Sequence, residues 1–224
     1  MKTEPQNSAP RQSDKPRKAV SSPYPSIFTD IFQDEVNLAI WQQQLSNELQ
    51  NCAEKLIQQK PSFKTVIAVT PESCYRQLSE ALEISEKEHP LCQHISLLVD
   101  MFCTLFNLKG AGLRLMVLDR PMCPKFHVDK IPCRLVTTYV GTATQWLHNE
   151  KVDRTKLGPG SLGLADEVSG LFTNNNAIAQ FSAGDVGLLK GEGWFDNNNA
   201  GLIHRSPHPK ENESRLLLTL DYIN

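Results

Sequence analysis

The chain has 224 residues, 40% of them hydrophobic and 21% charged, with a formal charge of −2. This is the composition of a globular protein long enough for one full core, and its near-neutral balance gives no case for nucleic acid or anionic lipid as a partner. No apolar run approaches the roughly 20 residues of a membrane helix, and the N-terminus lacks the apolar stretch of an export signal. A cytoplasmic location is therefore expected, with the six cysteines (52, 74, 92, 103, 123 and 133) as reduced thiols.

Residues 1–25 are rich in Pro, Ser, Gln and charge. Such a segment buries too little to repay its ordering entropy, so it reads as a disordered tail. Over residues 34–59, Val36, Ile40, Leu45, Leu49, Cys52 and Leu56 recur at near-helical spacing, which predicts a long helix. Residues 64–69 (KTVIAV) read as a strand. Pro71 opens a second helix, expected to run to about Glu86. A third, over residues 91–106, is apolar nearly all round and should be buried against a sheet.

After Gly110 the texture changes to short apolar runs: LRLMVL, RLVTTYV, AIAQFS, VGLLKG, GLIHRS and RLLLTLDYI. Clusters of Gly, Pro, Asn and Asp separate them, as in an antiparallel sandwich or barrel. The expected class is α+β, with a helical region over residues 26–109 buttressing a strand-rich metal-binding region over 110–224. No internal repeat is evident.

His127-Val128-Asp129 falls between two of these runs. In extended chain, residues i and i+2 project to the same face, so imidazole and carboxylate point together. A third ligand would complete a set of two His and one carboxylate that leaves positions open on the metal. His204 is the first candidate and His208 the reserve. With six histidines in the chain, such a triplet alone is weak, and a turn His127 beside a core His204 is the bland alternative. Arg215, eleven residues beyond His204, stands where it could hold a carboxylate in a bidentate fork.

The order HVD, RLVTTYVG, AGDVGLLKG, IHRS, SRLLLTLDY resembles the double-stranded β-helix (jelly-roll or cupin-like barrel) of Fe(II)/2-oxoglutarate-dependent oxygenases. That resemblance covers residues 110–224. It implies Fe(II) on His127, Asp129 and His204, and 2-oxoglutarate on Arg215 with Thr137 or Tyr139, acting on a small-molecule or protein substrate that the sequence does not name. At closer range, CPKFHVDKIPCRLVTTYVGTATQWL is similar to the signature of a bacterial domain-of-unknown-function family, whose genes accompany metal-chaperone-type GTPases linked to zinc supply. That resemblance implies a non-catalytic metal-binding protein of zinc homeostasis as the alternative.

Cys123 and Cys133 flank the HVD triplet and, with His127 and His204, would make a closed Cys2His2 zinc site. Packing is an equal reading for both thiols. Arg114 and Arg134 are further candidates for an anionic group, with an exposed salt bridge as the alternative. Trp146 could wall a pocket or fill a core, and Trp194-Phe195 could form a substrate lid or cap the barrel. His89 and His94 could join a second metal site, though surface and capping roles suit them better.

Overall fold

The computed structural model describes residues 16–86, 88–211 and 213–223. Most of the expected tail lies outside these residues, but Lys18–Ser22 forms a strand, β1. Its period-two pattern decides this: Val20 packs against one core and Ala19 against another.

The remaining strands and α-helices are β2 (Val36–Trp41), α1 (Asn47–Gln59), β3 (Lys64–Val69), α2 (Pro71–Leu82), α3 (Pro90–Phe106), β4 (Ala111–Leu118), β5 (Cys133–Val140), β6 (Gln145–Leu147), β7 (Ile178–Gln180), β8 (Val186–Lys190), β9 (His204–Arg205) and β10 (Arg215–Tyr222), with short 3-10 turns between them, the longest Pro25–Phe32. Seven strands form one large sheet in the order β1-β2-β8-β5-β10-β4-β3, and β7-β6-β9 form a small one. All pairings are antiparallel except β1 with β2.

The long helix expected over residues 34–59 is instead a strand followed by a helix. Val36–Trp41 is buried almost throughout, wedged between β1 and β8. A strand covered on both faces shows a continuous apolar run that periodicity alone cannot separate from a buried helix. Ser46 then caps α1 by accepting the Leu49 N–H at 3.2 Å. Because β2 and β3 both join the large sheet, segments before and after residue 110 share one core. The second helix ends at Leu82, earlier than expected, because Glu83 adopts a left-handed conformation (φ 61°).

Strand alternation gives the large sheet two apolar faces. One carries Leu113, Leu115, Cys133, Leu135, Tyr139, Leu216, Leu218 and Leu220, covered by the helices. Leu91, Ile95, Leu98 and Phe102 of α3 supply much of that cover, each worth about 1.5–3 kcal/mol of burial. The other face carries Leu118, Val136 and Leu217, packed against Trp146 of the small sheet. Outside the small sheet, Phe126, Leu147, Leu171, Phe172 and Ile203 form a third cluster under the excursion that joins β6 to β7. Among the described residues no helix is long and apolar enough to cross a membrane.

Within the helix-covered core, His94 of α3 meets the Tyr139 hydroxyl through Nδ1 at 2.9 Å. Burial pulls the His94 pKa down from 6.5 to about 4. The folded state therefore resists taking up a proton that the unfolded chain accepts at about pH 6.5, and stability falls as pH drops from about 6.5 towards 4. Thermal melts of the wild type across that window should show the decline, and His94→Gln should make it shallower. An equally steep decline in the variant would assign it to other groups.

Candidate metal centre

The segment before the HVD triplet is tied down at Phe126, whose N–H donates to the buried Asp166 carboxylate at 2.8 Å. One residue on, His127 pairs with His204 through two backbone hydrogen bonds, each 3.0 Å. Directly opposed residues of an antiparallel pair project their side chains to the same side, and here the ring centroids are 4.6 Å apart. Each ring is oriented by its own chain. His127 Nδ1 faces the Lys125 carbonyl at 3.0 Å, and His204 Nδ1 faces the Leu202 carbonyl at 3.2 Å. With Nδ1–H donated to those carbonyls, both Nε2 lone pairs are left for another partner.

Asp129 meets them there. Its Oδ1 lies 3.9 Å from His127 Nε2, and its Oδ2 lies 3.5 Å from His204 Nε2. Donor atoms sharing one ion at about 2.1 Å stand roughly 3–3.4 Å apart, so small side-chain shifts bring all three onto a metal. Asp129 Oδ2 is buried without a hydrogen-bond partner, although Arg134 Nη1 approaches it at 3.0 Å off the bonding direction. A buried carboxylate whose Oδ2 accepts no hydrogen bond, with an imidazole nitrogen facing each of its oxygens, fits a cation. Burial pulls His204 down to about 4, against the nearby Asp129 charge and with a contribution from His127, so its ring is neutral at pH 7. His127, Asp129 and His204 are the one group of three potential ligands brought together among the described residues.

Arg134 is neither exposed nor free. Its guanidinium grips Asp221 through Nε (2.7 Å) and Nη2 (2.9 Å), and its Nη1 donates to Asp129 Oδ1 at 3.1 Å. It fixes the carboxylate from behind, a role readable only once β10 is seen beside β5. Glycines set the backbone: a Cβ on Gly191 would lie 2.1 Å from the Ile131 carbonyl oxygen, and one on Gly201 would lie 2.5 Å from Val128 Cγ1. No motif in the sequence marks those glycines.

Thr137 and Tyr139 are not brought to this site. Both point to the helix-covered face of β5, out of phase with Arg134, Val136 and Thr138, so the alternation along the strand already held this signal. Thr138 takes their place, receiving Arg215 Nη2 at 3.5 Å. Cys133 is buried on the helix-covered face with its thiol pKa pushed far up by burial, so the Cys2His2 arrangement does not form. Cys123 is exposed and lines the cavity beside His127 and His204.

His208 is exposed and, like His89 and His94, belongs to no ligand group among the described residues. Trp146 is core, paired in register with His204. Trp194 is no lid, since it packs on Phe32 and Phe106, while Phe195 is 93% exposed.

Arg215 is fully buried at the start of β10. Its Nη1 donates to Ser206 Oγ at 2.8 Å, its Nε has no partner, and no carboxylate lies within ion-pair distance among the described residues. Burial pulls its pKa down to about 10, partly offset by Glu213, so it stays charged at neutral pH. A buried cation without a counter-ion is costly unless an anionic guest completes it.

A family profile described as "Protein of unknown function (DUF1826)" matches residues 22–221. The chain belongs to this DUF1826 family. No curated protein matches it. Among solved structures it is similar to a candidate oxygenase from Shewanella oneidensis (12% identity, TM-score 0.44, covering 91% of this chain and 89% of that one). It is also similar to HygX from Streptomyces hygroscopicus with nickel and 2-oxoglutarate bound (11%, 0.41, 91% and 86%). A third is a candidate 2OG-Fe(II) oxygenase family protein from Caulobacter crescentus (12%, 0.42, 92% and 85%).

His127→Ala in this DUF1826 protein should leave stability within about 1 kcal/mol, because the side chain is one-third exposed, yet abolish Ni(II) uptake. Gly191→Ala should cost about 1–3 kcal/mol or more, because its new methyl meets backbone that cannot yield. Urea melts and calorimetric Ni(II) titrations separate the two effects; stable Ni(II) binding by His127→Ala would remove His127 from the ligand set.

Proposed function

We propose that this protein is a non-haem Fe(II), 2-oxoglutarate-dependent oxygenase built on a double-stranded β-helix formed by the large and small sheets. The observation that carries the reading is a pair: the His127, Asp129 and His204 donors converge, and the same molecule buries Arg215 without an acid. Two imidazoles and one carboxylate on one face leave the remaining positions of an octahedral ion open for ligands. Bound iron would supply the activation of dioxygen, and 2-oxoglutarate the two-electron co-reductant.

The chain's own groups do the rest. Arg215 offers two N–H groups to the far carboxylate of 2-oxoglutarate, with Ser206 and Thr138 holding the fork in place. Arg134 keeps Asp129 from turning away while Asp221 balances its charge. Val136 and Leu217 line the cavity beside the two histidines and exclude water. We also propose a reducing, cytoplasmic setting for the protein, where its cysteines would stay as thiols. Two nitrogens and one oxygen also bind zinc, so metal identity is part of the test.

Protein prepared without oxygen should develop a weak visible charge-transfer band only when both Fe(II) and 2-oxoglutarate are added. Arg215→Ala should retain metal but weaken 2-oxoglutarate at least 100-fold, the equivalent of losing about 3 kcal/mol from a buried charged pair. Tightly held zinc with no spectral response to 2-oxoglutarate would instead mark a non-catalytic metal-binding protein.

A further inference from the structure

The cavity over the two histidines is lined in part by Arg114, Met122, Val136, Leu217 and Thr219. Arg114 of β4 and Thr219 of β10 are direct cross-strand partners, so their side chains stand side by side on the same face of the large sheet. Neither has a partner. Thr219 is 5% exposed and its Oγ1 is buried without a hydrogen bond. Arg114 is partly buried and makes no side-chain hydrogen bond or ion pair among the described residues.

The other cations around this cavity are spent. Arg134 holds Asp129 and Asp221, and Arg205 holds Asp166 and Glu167 while lying over the Phe126 ring. Arg215 stands four residues before Thr219 on β10, roughly 13 Å along the strand. On the reading above, on which this inference rests, Arg215 is committed to the far carboxylate of 2-oxoglutarate and the other end of that molecule to the ion. One positive charge, that of Arg114, and the hydroxyls of Thr219 and Thr144 therefore remain unanswered in the cavity beside the two histidines, and of these hydroxyls Thr219 stands next to the guanidinium.

We propose that Arg114 and Thr219 form the docking point for an oxyanion, a carboxylate or a phosphate, carried by the substrate. The guanidinium supplies charge and two or more donors, and the Thr219 hydroxyl donates a further hydrogen bond. Met122, Val136 and Leu217 contribute apolar surface to the same cavity that Arg114, Thr219 and the two histidines line. The substrate class is an organic anion whose apolar body reaches from Arg114 towards the metal centre.

Arginine side-chain NMR on protein loaded with Ni(II) and 2-oxoglutarate tests this, with acetate and inorganic phosphate as probes. The Arg114 Nε–H signal, assigned by its loss in Arg114→Gln, should shift saturably. Arg114→Gln should weaken the preferred probe at least tenfold, as read from other cavity resonances, and Thr219→Val should weaken it several-fold. Arg114→Lys should recover part of the loss. The affinity for 2-oxoglutarate, measured by calorimetry, should change less than twofold in all three. Unchanged probe affinity in Arg114→Gln overturns the proposal, as does a large loss of 2-oxoglutarate affinity, which would assign Arg114 to the co-substrate. If the Ni(II)-loaded wild type takes up no 2-oxoglutarate, the oxygenase reading fails separately. The same titration on Ni(II)-only protein then decides the anion site: a tenfold loss in Arg114→Gln upholds it, and no change overturns it. Whichever probe binds tighter identifies the class.

Discussion

Two backbone hydrogen bonds between His127 and His204, each 3.0 Å, tie the loop after β4 to the short strand β9. The rest of the centre follows from that link. It opposes the two residues directly, so both rings leave the backbone on one side, and extended chain from His127 delivers Asp129 to the same side. The carbonyls two residues before each histidine hold the Nδ1 atoms and turn the Nε2 atoms inward. For this pairing to form, residues 191–201 must lie against residues 128–132 at distances that admit no side chain at Gly191 or Gly201. The glycines are therefore as much a part of this arrangement as the three side chains that converge in it.

The large sheet separates two kinds of chemistry by strand alternation. Its helix-covered face is apolar, apart from features such as the His94–Tyr139 pair, and the Cys133 thiol there is inert because burial disfavours its thiolate. Its opposite face carries Arg114, Arg134, Arg215 and Thr219 among apolar neighbours. There the distribution of charge matters more than its amount. Arg134 and Arg205 are satisfied by acids, whereas Arg114, which lines the cavity, and Arg215, which is fully buried, are not, and a cation with little access to water is costly without an anion.

Much of this was legible along the chain. The strands after Gly110 stand close to where their apolar runs predict, although three-residue β6 was too short to announce itself. The HVD triplet and the order of His204 and Arg215 named the three side chains that converge and the buried guanidinium before any contact was known. Errors fell where local pattern is ambiguous. Residues 36–41 carry apolar side chains at spacings that suit helix or buried strand alike, and only insertion between β1 and β8 decides. Thr137 and Tyr139 were candidates by residue type, while their phase along β5 sends them to the other face.

What the sequence determined by itself is everything set by neighbours a few residues away: the shared face of His127 and Asp129, the start of α2 at Pro71, and the alternation of β5 and β10. Tertiary structure decided what depends on residues far apart in the chain. It paired His127 with His204, placed Asp221 behind Arg134, set Thr219 beside Arg114 and left Arg215 without an acid. Pairing and unpairing of charge across such separations depends on which strands become neighbours, and that follows from burying both faces of one sheet at once.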